Sequence, residues 1–197
     1  MSVKTNHNLA EPCWFLTFTC YKWLPLFELT NSYDLVYNWL EFISKRAQVQ
    51  TLAFVIMPNH VHLLLYLQDL TVDLNKMVSN GKRFMAYELI KRLNEQQRND
   101  ILLILRDGCS EIEKSKGQKH RAFEPSFDAK PVFTDKFLNQ KVDYIHHNPV
   151  MGKWSLCSEF TDYPHSSADF YLDDKRHSCL NIMDYRDYWL GKIPQNE

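Results

Sequence analysis

Two histidines separated by one residue, His60 and His62, lie within the apolar segment FVIMPNHVHLLLY at positions 54–66. Successive side chains of a β-strand point to opposite faces of a sheet, so both imidazoles are expected on one face. Val61 and Leu63 would then point into a core on the other face. Two imidazoles on one face of a strand form half of a metal site, and at least one further ligand is needed.

A second group of candidate residues lies in the segment DYIHHNPV at positions 143–150. Tyr144 and Asn148 are four residues apart, so on a helix they share one face, one turn apart. The amide of Asn148 offers an oxygen ligand for a hard divalent ion. A phenol is a poor nucleophile until a cation or a base draws off its proton. His146 and His147 follow Tyr144, and either one could be the further ligand or a solvated surface residue.

Taken together, these groups indicate phosphoryl transfer. A cation bound by the imidazoles and the amide would neutralise charge on a phosphodiester oxygen and make the phosphorus more electrophilic. The tyrosine would then attack that phosphorus and form a tyrosyl intermediate. Two simpler interpretations stay open. The histidines could be a surface pair, and a tyrosine on an amphipathic helix often fills a core or its rim.

Hydrophobic periodicity predicts the elements that position these residues. The predicted order is strand, helix, strand, strand, helix, strand, helix, with a tight hairpin turn at Pro58-Asn59. The predicted strands cover 13–21, 49–57, 61–67 and 130–134, and the predicted helices cover 33–48, 73–95 and 135–148. Positions 101–105 could form a helix or a strand, and positions 110–121 are predicted to be a solvated loop.

This order predicts an α+β fold, a ferredoxin-like or RRM-like antiparallel β-sheet with helices packed on one face and the site on the open face. The length of 197 residues favours one domain. We expect a catalytic domain over residues 1–157 and an acidic, aromatic C-terminal extension over 158–197, packed on or beside that domain.

The composition is typical of a globular protein, with 45% hydrophobic and 24% charged residues. The formal net charge is −1, but the segment 76–121 holds eleven Lys and Arg against six Asp and Glu. Such an uneven distribution can create a basic face. The five scattered cysteines contain no C-x-x-C pair, which argues against a disulfide framework or a zinc knuckle. The chain shows no signal peptide or membrane-spanning run, so a cytoplasmic location is expected.

Several motifs resemble those of a known family. MPNHVHLLL at 57–65, followed by YIHHNPV at 144–150, resembles the single-tyrosine HUH transposases. The closer resemblance is to the REP-associated tyrosine transposase branch, whose tyrosine helix ends in Tyr-Ile-His-x-Asn-Pro-Val. FLTFTCYKWLPLF, KFLNQKVDYIHHNPVMGKW and DYPHSSADFY resemble further segments of that branch, so the similarity covers about residues 13–171.

The resemblance implies a divalent metal, Mg²⁺ or Mn²⁺, bound by His60, His62 and Asn148, with Tyr144 as the nucleophile. In such enzymes the tyrosine attacks single-stranded DNA beside a REP-like hairpin and leaves a 5′-phosphotyrosine link and a free 3′-hydroxyl. That hydroxyl can reverse the reaction without ATP. The branch tends towards monomers, whereas other single-tyrosine transposases form homodimers that exchange the tyrosine helix, so a monomer or a homodimer is expected.

Basic residues of the second predicted helix are candidates for contacts with DNA phosphates, although each could also belong to an ordinary solvated face. They are Lys76, Lys82, Arg83, Lys91 and Arg92. Two other functions are considered. A histidine-triad nucleotide hydrolase also carries His-x-His on a strand, but it needs a third alternating histidine where Leu64 stands here. A nucleic-acid-binding module could keep this fold without catalysis.

Overall fold

A four-stranded antiparallel sheet forms the centre of the computed structural model, which describes residues 11–152, 154–172, 177 and 179–189. The strands are β1 (Cys13–Thr19), β2 (Val49–Ile56), β3 (His60–Leu67) and β4 (Asp128–Pro131). Their order in the sheet is β2-β3-β1-β4, and every neighbouring pair is antiparallel. This is the strand order of a ferredoxin-like fold, so the predicted fold class is confirmed.

The helices are α1 (Leu26–Leu29), α2 (Tyr33–Ala47), α3 (Leu74–Glu95), α4 (Asn99–Asp107), α5 (Glu111–Ser115), α6 (Asp135–His147), α7 (Ala168–Leu172) and α8 (Tyr185–Trp189). Short 3₁₀ helices cover Tyr21–Trp23, Asn148–Val150 and Phe160–Asp162. Two N-caps are visible from the sequence. The Asp73 carboxylate accepts a hydrogen bond from the Lys76 backbone N–H, and the Thr134 hydroxyl accepts one from the Phe137 backbone N–H.

The structure settles one open alternative of the sequence-based prediction and differs from it in two other segments. Positions 101–105 belong to helix α4. The segment 110–121 was wrongly predicted to be only a loop, because Ser110 and Glu113 form a capping box that begins α5. The last strand lies at 128–131 instead of 130–134, since Thr134 already serves as the N-cap of α6.

The first face of the sheet packs against α2 and α3. Trp14, Leu16 and Leu63 point into this core together with the apolar stripes of both helices. Gly81 of α3 lies against the indole of Trp39 in α2, and a Cβ atom at Gly81 would lie 2.5 Å from that ring. The glycine therefore permits the close approach of the two helices.

The second face of the sheet carries His60 and His62 and receives α6. Leu138, Val142 and Ile145 of α6 pack on this face against Leu64 and its neighbours in β2 and β1. The face that was expected to be open for a site is therefore covered in part by the helix that carries Tyr144.

The free edge of β2 is paired with segments that follow α6. The Ile56 N–H donates to the His165 carbonyl at 2.8 Å, and the Ser167 N–H donates to the Phe54 carbonyl at 3.0 Å. Further along, the Met183 N–H donates to the Thr51 carbonyl at 2.9 Å. These hydrogen bonds protect an edge that would otherwise expose unpaired backbone groups.

All five cysteines are free thiols. Cys13 and Cys20 are buried, and burial raises the pKa of both thiols, so neither is suited to act as a nucleophile. Within the described segments, no helix combines the length and the apolar character that crossing a bilayer would require.

Candidate active site

His60 and His62 lie side by side at the start of β3. Their ring centroids are 4.7 Å apart, and the planes meet at 77°. Only 6% of His60 and 5% of His62 is exposed. The turn formed by Met57, Pro58 and Asn59 closes with a hydrogen bond from the Met57 N–H to the His60 carbonyl at 2.8 Å. The turn therefore sets where the strand begins and which face the first imidazole occupies.

The tautomer of His60 follows from its contact with Asn59. The Nδ1 atom of His60 lies 2.6 Å from Asn59 Oδ1, while Asn59 Nδ2 donates to the Trp23 carbonyl at 3.0 Å. The second hydrogen bond fixes the orientation of the amide, and an amide oxygen can only accept. Nδ1 of His60 therefore carries the proton, and Nε2 keeps a lone pair that can bind a metal.

His62 is held from the neighbouring strand. Its Nδ1 lies 2.6 Å from the Thr17 hydroxyl, because Thr17 of β1 pairs with His62 in the sheet register. The Phe15 ring stacks on His62 with a centroid distance of 5.7 Å and an interplanar angle of 18°. The Nε2 atom of His62 is buried and has no hydrogen-bond partner among the described residues. A buried nitrogen without a partner is costly unless a ligand engages it.

Both imidazoles are neutral at physiological pH. Burial lowers the pKa of His60 to about 4, and a hydrogen bond with the Asn148 side chain opposes this shift. Burial also lowers the pKa of His62 to about 3, helped by the nearby His60 and Lys141. Because a metal binds the unprotonated nitrogen, these shifts favour metal ligands over acid–base groups.

Helix α6 brings Tyr144 and Asn148 to the same place. The Tyr144 ring lies 4.9 Å from the His62 ring and 6.1 Å from the Phe15 ring, measured between centroids. Tyr144 is 41% exposed, so a substrate can reach its side chain. Asn148 follows one turn later and reaches His60 through its side chain. The structure thus brings together all four residues singled out for the metal and the nucleophile.

Three residues near the site were not recognised from the sequence. Asn59 was interpreted only as a turn residue, and Thr17 becomes relevant only when the strand register is known. Lys141 places its ammonium 4.6 Å from the Phe15 centroid and 5.5 Å from the Tyr144 centroid. Burial is the main cause that lowers the pKa of Lys141, and repulsion from Lys130 lowers it further. Its position three residues before Tyr144 is the signal that could have identified it.

The two other histidines of α6 point elsewhere. His146 is buried, and its Nε2 lies 3.0 Å from the Ser167 hydroxyl in the segment that pairs with β2. The Nδ1–H of His147 donates to the Asp143 carbonyl at 2.9 Å, and its ring packs on Phe160. In the described contacts neither ring touches His60 or His62, so the geometry favours Asn148 as the third ligand.

The donor set fits a divalent ion. Among the described residues, no three His, Cys, Asp or Glu side chains are grouped to hold a metal, so a third protein ligand from these residues would be of another type. The amide oxygen of Asn148 meets this need, and it stands beside two neutral imidazoles, of which His60 presents the lone pair of its Nε2. Leu64, which stands where a histidine triad would have its third histidine, is fully buried in the apolar cluster below α6.

The predicted DNA-binding residues lie on α3, which packs on the opposite face of the sheet. Lys82 is buried, and its ammonium donates to the carbonyls of Glu124 at 2.6 Å and Ser126 at 3.2 Å. Arg92 forms a bidentate pair with Asp34 of α2. These contacts give both residues a structural role, and a phosphate contact by either one would require breaking them.

The remaining basic residues of α3 are exposed. Lys76 lies 3.4 Å from Asp73, and Lys91 lies 3.4 Å from Glu88. The Arg83 guanidinium lies over the Phe84 ring at 5.1 Å. Such exposed ion pairs are weak and can exchange for phosphate, so the predicted DNA contacts of these three residues stay predictions.

Comparison with known proteins supports the fold assignment. No protein-family model matches the chain, and no curated protein matches it in sequence. A solved structure of a REP-associated tyrosine transposase bound to a REP hairpin superposes with a TM-score of 0.58 at 17% identity. That similarity covers 93% of this chain and 99% of the other. A putative transposase from Deinococcus radiodurans R1 has a TM-score of 0.42 and 14% identity, covering 68% of this chain and 88% of that one. The first of these similarities shows a shared fold.

Proposed function

We propose that the chain is a metal-dependent transposase that cleaves and rejoins single-stranded DNA beside hairpins through a 5′-phosphotyrosine intermediate. The observation that carries this proposal is the position of Tyr144, whose ring lies 4.9 Å from that of His62, a buried imidazole with an unpartnered Nε2. The fold shared with a REP-associated tyrosine transposase supports the same function.

The reaction exchanges one phosphodiester bond for another. The Tyr144 oxygen attacks phosphorus and forms the new bond, while the bond from phosphorus to the 3′-oxygen breaks. The phenolic proton leaves to solvent, and the 3′-oxygen takes up a proton to become a free hydroxyl. The same hydroxyl can attack the phosphotyrosine in reverse, so rejoining needs no external energy source.

The residues around Tyr144 have separate roles. His60, His62 and Asn148 would hold the ion, which we propose to be Mg²⁺ or Mn²⁺, and the imidazoles suit Mn²⁺ better. When bound, the ion supplies Lewis-acid stabilisation of charge on the phosphate. Lys141 carries its ammonium over the Tyr144 ring and is placed to contact the same phosphate. Asn59 and Thr17 orient the imidazoles by engaging both Nδ1 atoms.

The proposed partner is DNA that is single-stranded beside a REP-like hairpin. The superposing transposase is bound to a REP hairpin, and we extend that partner to this chain. The partial exposure of Tyr144 suits a flexible strand, because an in-line attack needs a phosphate that can be turned towards the phenol.

The test is formation of a covalent adduct that survives SDS after incubation with single-stranded hairpin DNA and Mn²⁺. The adduct should be lost with Tyr144→Phe and with excess chelator. Tyr87→Phe is the matched control, since Tyr87 is 69% exposed on α3, across the sheet from the site. An adduct that persists in Tyr144→Phe, or disappears in Tyr87→Phe, would contradict the assignment of the nucleophile.

A further inference from the structure

An exposed tryptophan stands beside the candidate metal site and has no role in the chemistry described above. The indole of Trp23 is 56% exposed, and its ring centroid lies 5.6 Å from that of His60 with an interplanar angle of 65°. An indole in water at the mouth of a site leaves a large apolar face uncovered. Such a face is suited to receive a flat ligand.

The backbone holds this indole in place by an uncommon conformation. Lys22 and Trp23 have φ values of 52° and 57°, so two consecutive bulky residues occupy the left-handed region. Such residues are rare and persist only where the surroundings impose them. Here the Cys20 N–H donates to the Asn59 carbonyl at 2.8 Å, and the Trp23 carbonyl accepts from the Asn59 amide at 3.0 Å. The backbone that carries the indole is therefore fixed next to the turn that carries His60.

The position of Trp23 distinguishes it from the exposed phenylalanines of α2 and α3. Phe42 is 59% exposed on α2, and Phe84 is 64% exposed on α3, and both helices pack on the opposite face of the sheet. Trp23 instead contacts a candidate metal ligand, and the exposed Lys22 beside it adds positive charge. A site that would hold a cation, next to an exposed indole, matches a nucleotide unit with its phosphate at the site and its base on the ring.

We propose that Trp23 is a stacking platform for one unpaired nucleobase of the DNA strand whose phosphate lies at Tyr144. The proposal rests on the proposed function for the identity of the phosphate. A base inside a duplex is already stacked on both faces, whereas an unpaired base can present one face to the indole. Trp23 thus supplies a preference for single-stranded DNA without reading its sequence, because every base has such a face.

The experiment measures binding by fluorescence anisotropy with Tyr144→Phe protein and Mn²⁺, so that no cleavage intervenes. One probe is labelled oligothymidylate of about 15 nucleotides, and the other is an abasic chain with the same number of phosphates. Trp23→Ala should weaken binding of oligothymidylate about five- to 150-fold and leave binding of the abasic chain unchanged. Trp23→Phe should restore most of the loss, and Phe42→Ala is the matched control without effect.

Several outcomes would overturn the proposal. The stacking role of Trp23 would be refuted if Trp23→Ala bound oligothymidylate as tightly as the parent protein, or if the parent protein did not bind it. An equal loss for both probes, accompanied by weaker Mn²⁺ binding, would mean that Trp23 only supports Asn59 and His60. Adduct formation by the otherwise unmodified chain is a separate readout. If no adduct forms but Trp23→Ala weakens binding only of the probe that has bases, the proposed function is refuted and the stacking role of Trp23 is retained. If the adduct forms but Trp23→Ala has no base-dependent effect, the stacking role is refuted and the proposed function is retained.

Discussion

Replacement of Asn59 tests whether the turn before β3 prepares His60 for metal binding. Asn59 is fully buried and links His60 to the segment that carries Trp23. Its side chain accepts a hydrogen bond from His60 Nδ1 at 2.6 Å and donates one to the Trp23 carbonyl at 3.0 Å. Asn59→Leu keeps the branched outline of the side chain and removes both hydrogen bonds. Asn59→Asp keeps an acceptor for His60 and loses the donor to Trp23.

The expected magnitude follows from these two contacts. In Asn59→Leu the buried N–H of His60 is left unpaired, which costs about 1–3 kcal/mol. The Trp23 carbonyl belongs to a half-exposed residue that water can reach, so its lost hydrogen bond costs about 0.5–1.5 kcal/mol. Together we expect a loss of about 1.5–4.5 kcal/mol in the free energy of unfolding. Removing the group that orients a ligand histidine should also weaken metal binding about 10- to 100-fold.

Urea unfolding in the presence of a chelator measures the first quantity, and calorimetric titration with Mn²⁺ measures the second. Both variants should lose stability, but only Asn59→Leu should lose Mn²⁺ affinity, because a carboxylate still accepts from Nδ1 and leaves Nε2 free. Asn80→Leu, at an exposed position of α3, is the control. Equal Mn²⁺ affinities in the wild type and Asn59→Leu would refute the reasoning, and so would equal losses in the two Asn59 variants.

Three further predictions concern other parts of the chain. Burial lowers the pKa of His146 from 6.5 to about 4. Between these two pH values the folded state binds fewer protons than the unfolded chain, so the free energy of unfolding falls as the pH drops from 6.5 to about 4. His146→Gln should remove about 3 kcal/mol of this dependence, measured by urea unfolding at pH values above and below the window. Lys82→Gln should lower the free energy of unfolding by about 2–4 kcal/mol without changing the salt dependence of DNA binding. Lys76→Gln should leave stability unchanged and reduce the slope of the logarithm of the DNA-binding constant against the logarithm of the salt concentration by about one. A mixture of Tyr144→Phe and His62→Ala proteins should form no SDS-stable adduct with hairpin DNA, because Tyr144 approaches His62 of its own chain.

Each of these predictions has a control or a contradicting result. An unchanged pH dependence of stability in His146→Gln would contradict the first prediction. A Lys82→Gln protein with normal stability and a reduced salt slope would show that Lys82 binds phosphate. Adduct formation in the mixture of variants would indicate that two chains exchange α6.

The strands and long helices were predictable because each follows a simple hydrophobic period. The two-residue repeat of a strand predicts that His60 and His62 share a face, and helical spacing predicts the same for Tyr144 and Asn148. The register between β1 and β3, in contrast, could not be predicted from the sequence. It depends on how distant segments pair, so no local pattern predicts that Thr17 lies opposite His62.

The basic residues of α3 show why charge patterns are a weaker guide than hydrophobic periods. Lys82 and Lys76 look equivalent in the sequence, because both are lysines among apolar residues on one helix. Lys82 is buried, and its ammonium donates to carbonyls of the segment before β4, whereas Lys76 is exposed beside Asp73. The difference arises from a segment more than forty residues away, which helical periodicity cannot detect.

The apolar stripe of α6 also explains how one helix can both complete the core and carry the proposed nucleophile. Leu138, Val142 and Ile145 recur at helical spacing and pack on the second face of the sheet. Tyr144 directly precedes Ile145, and successive helical residues differ by about 100° around the axis. Packing of Ile145 therefore sets the direction in which Tyr144 leaves the helix, towards His62 on the same sheet. Packing of α6 on the sheet therefore also brings Tyr144 next to His62, because the same side-chain spacing determines both contacts.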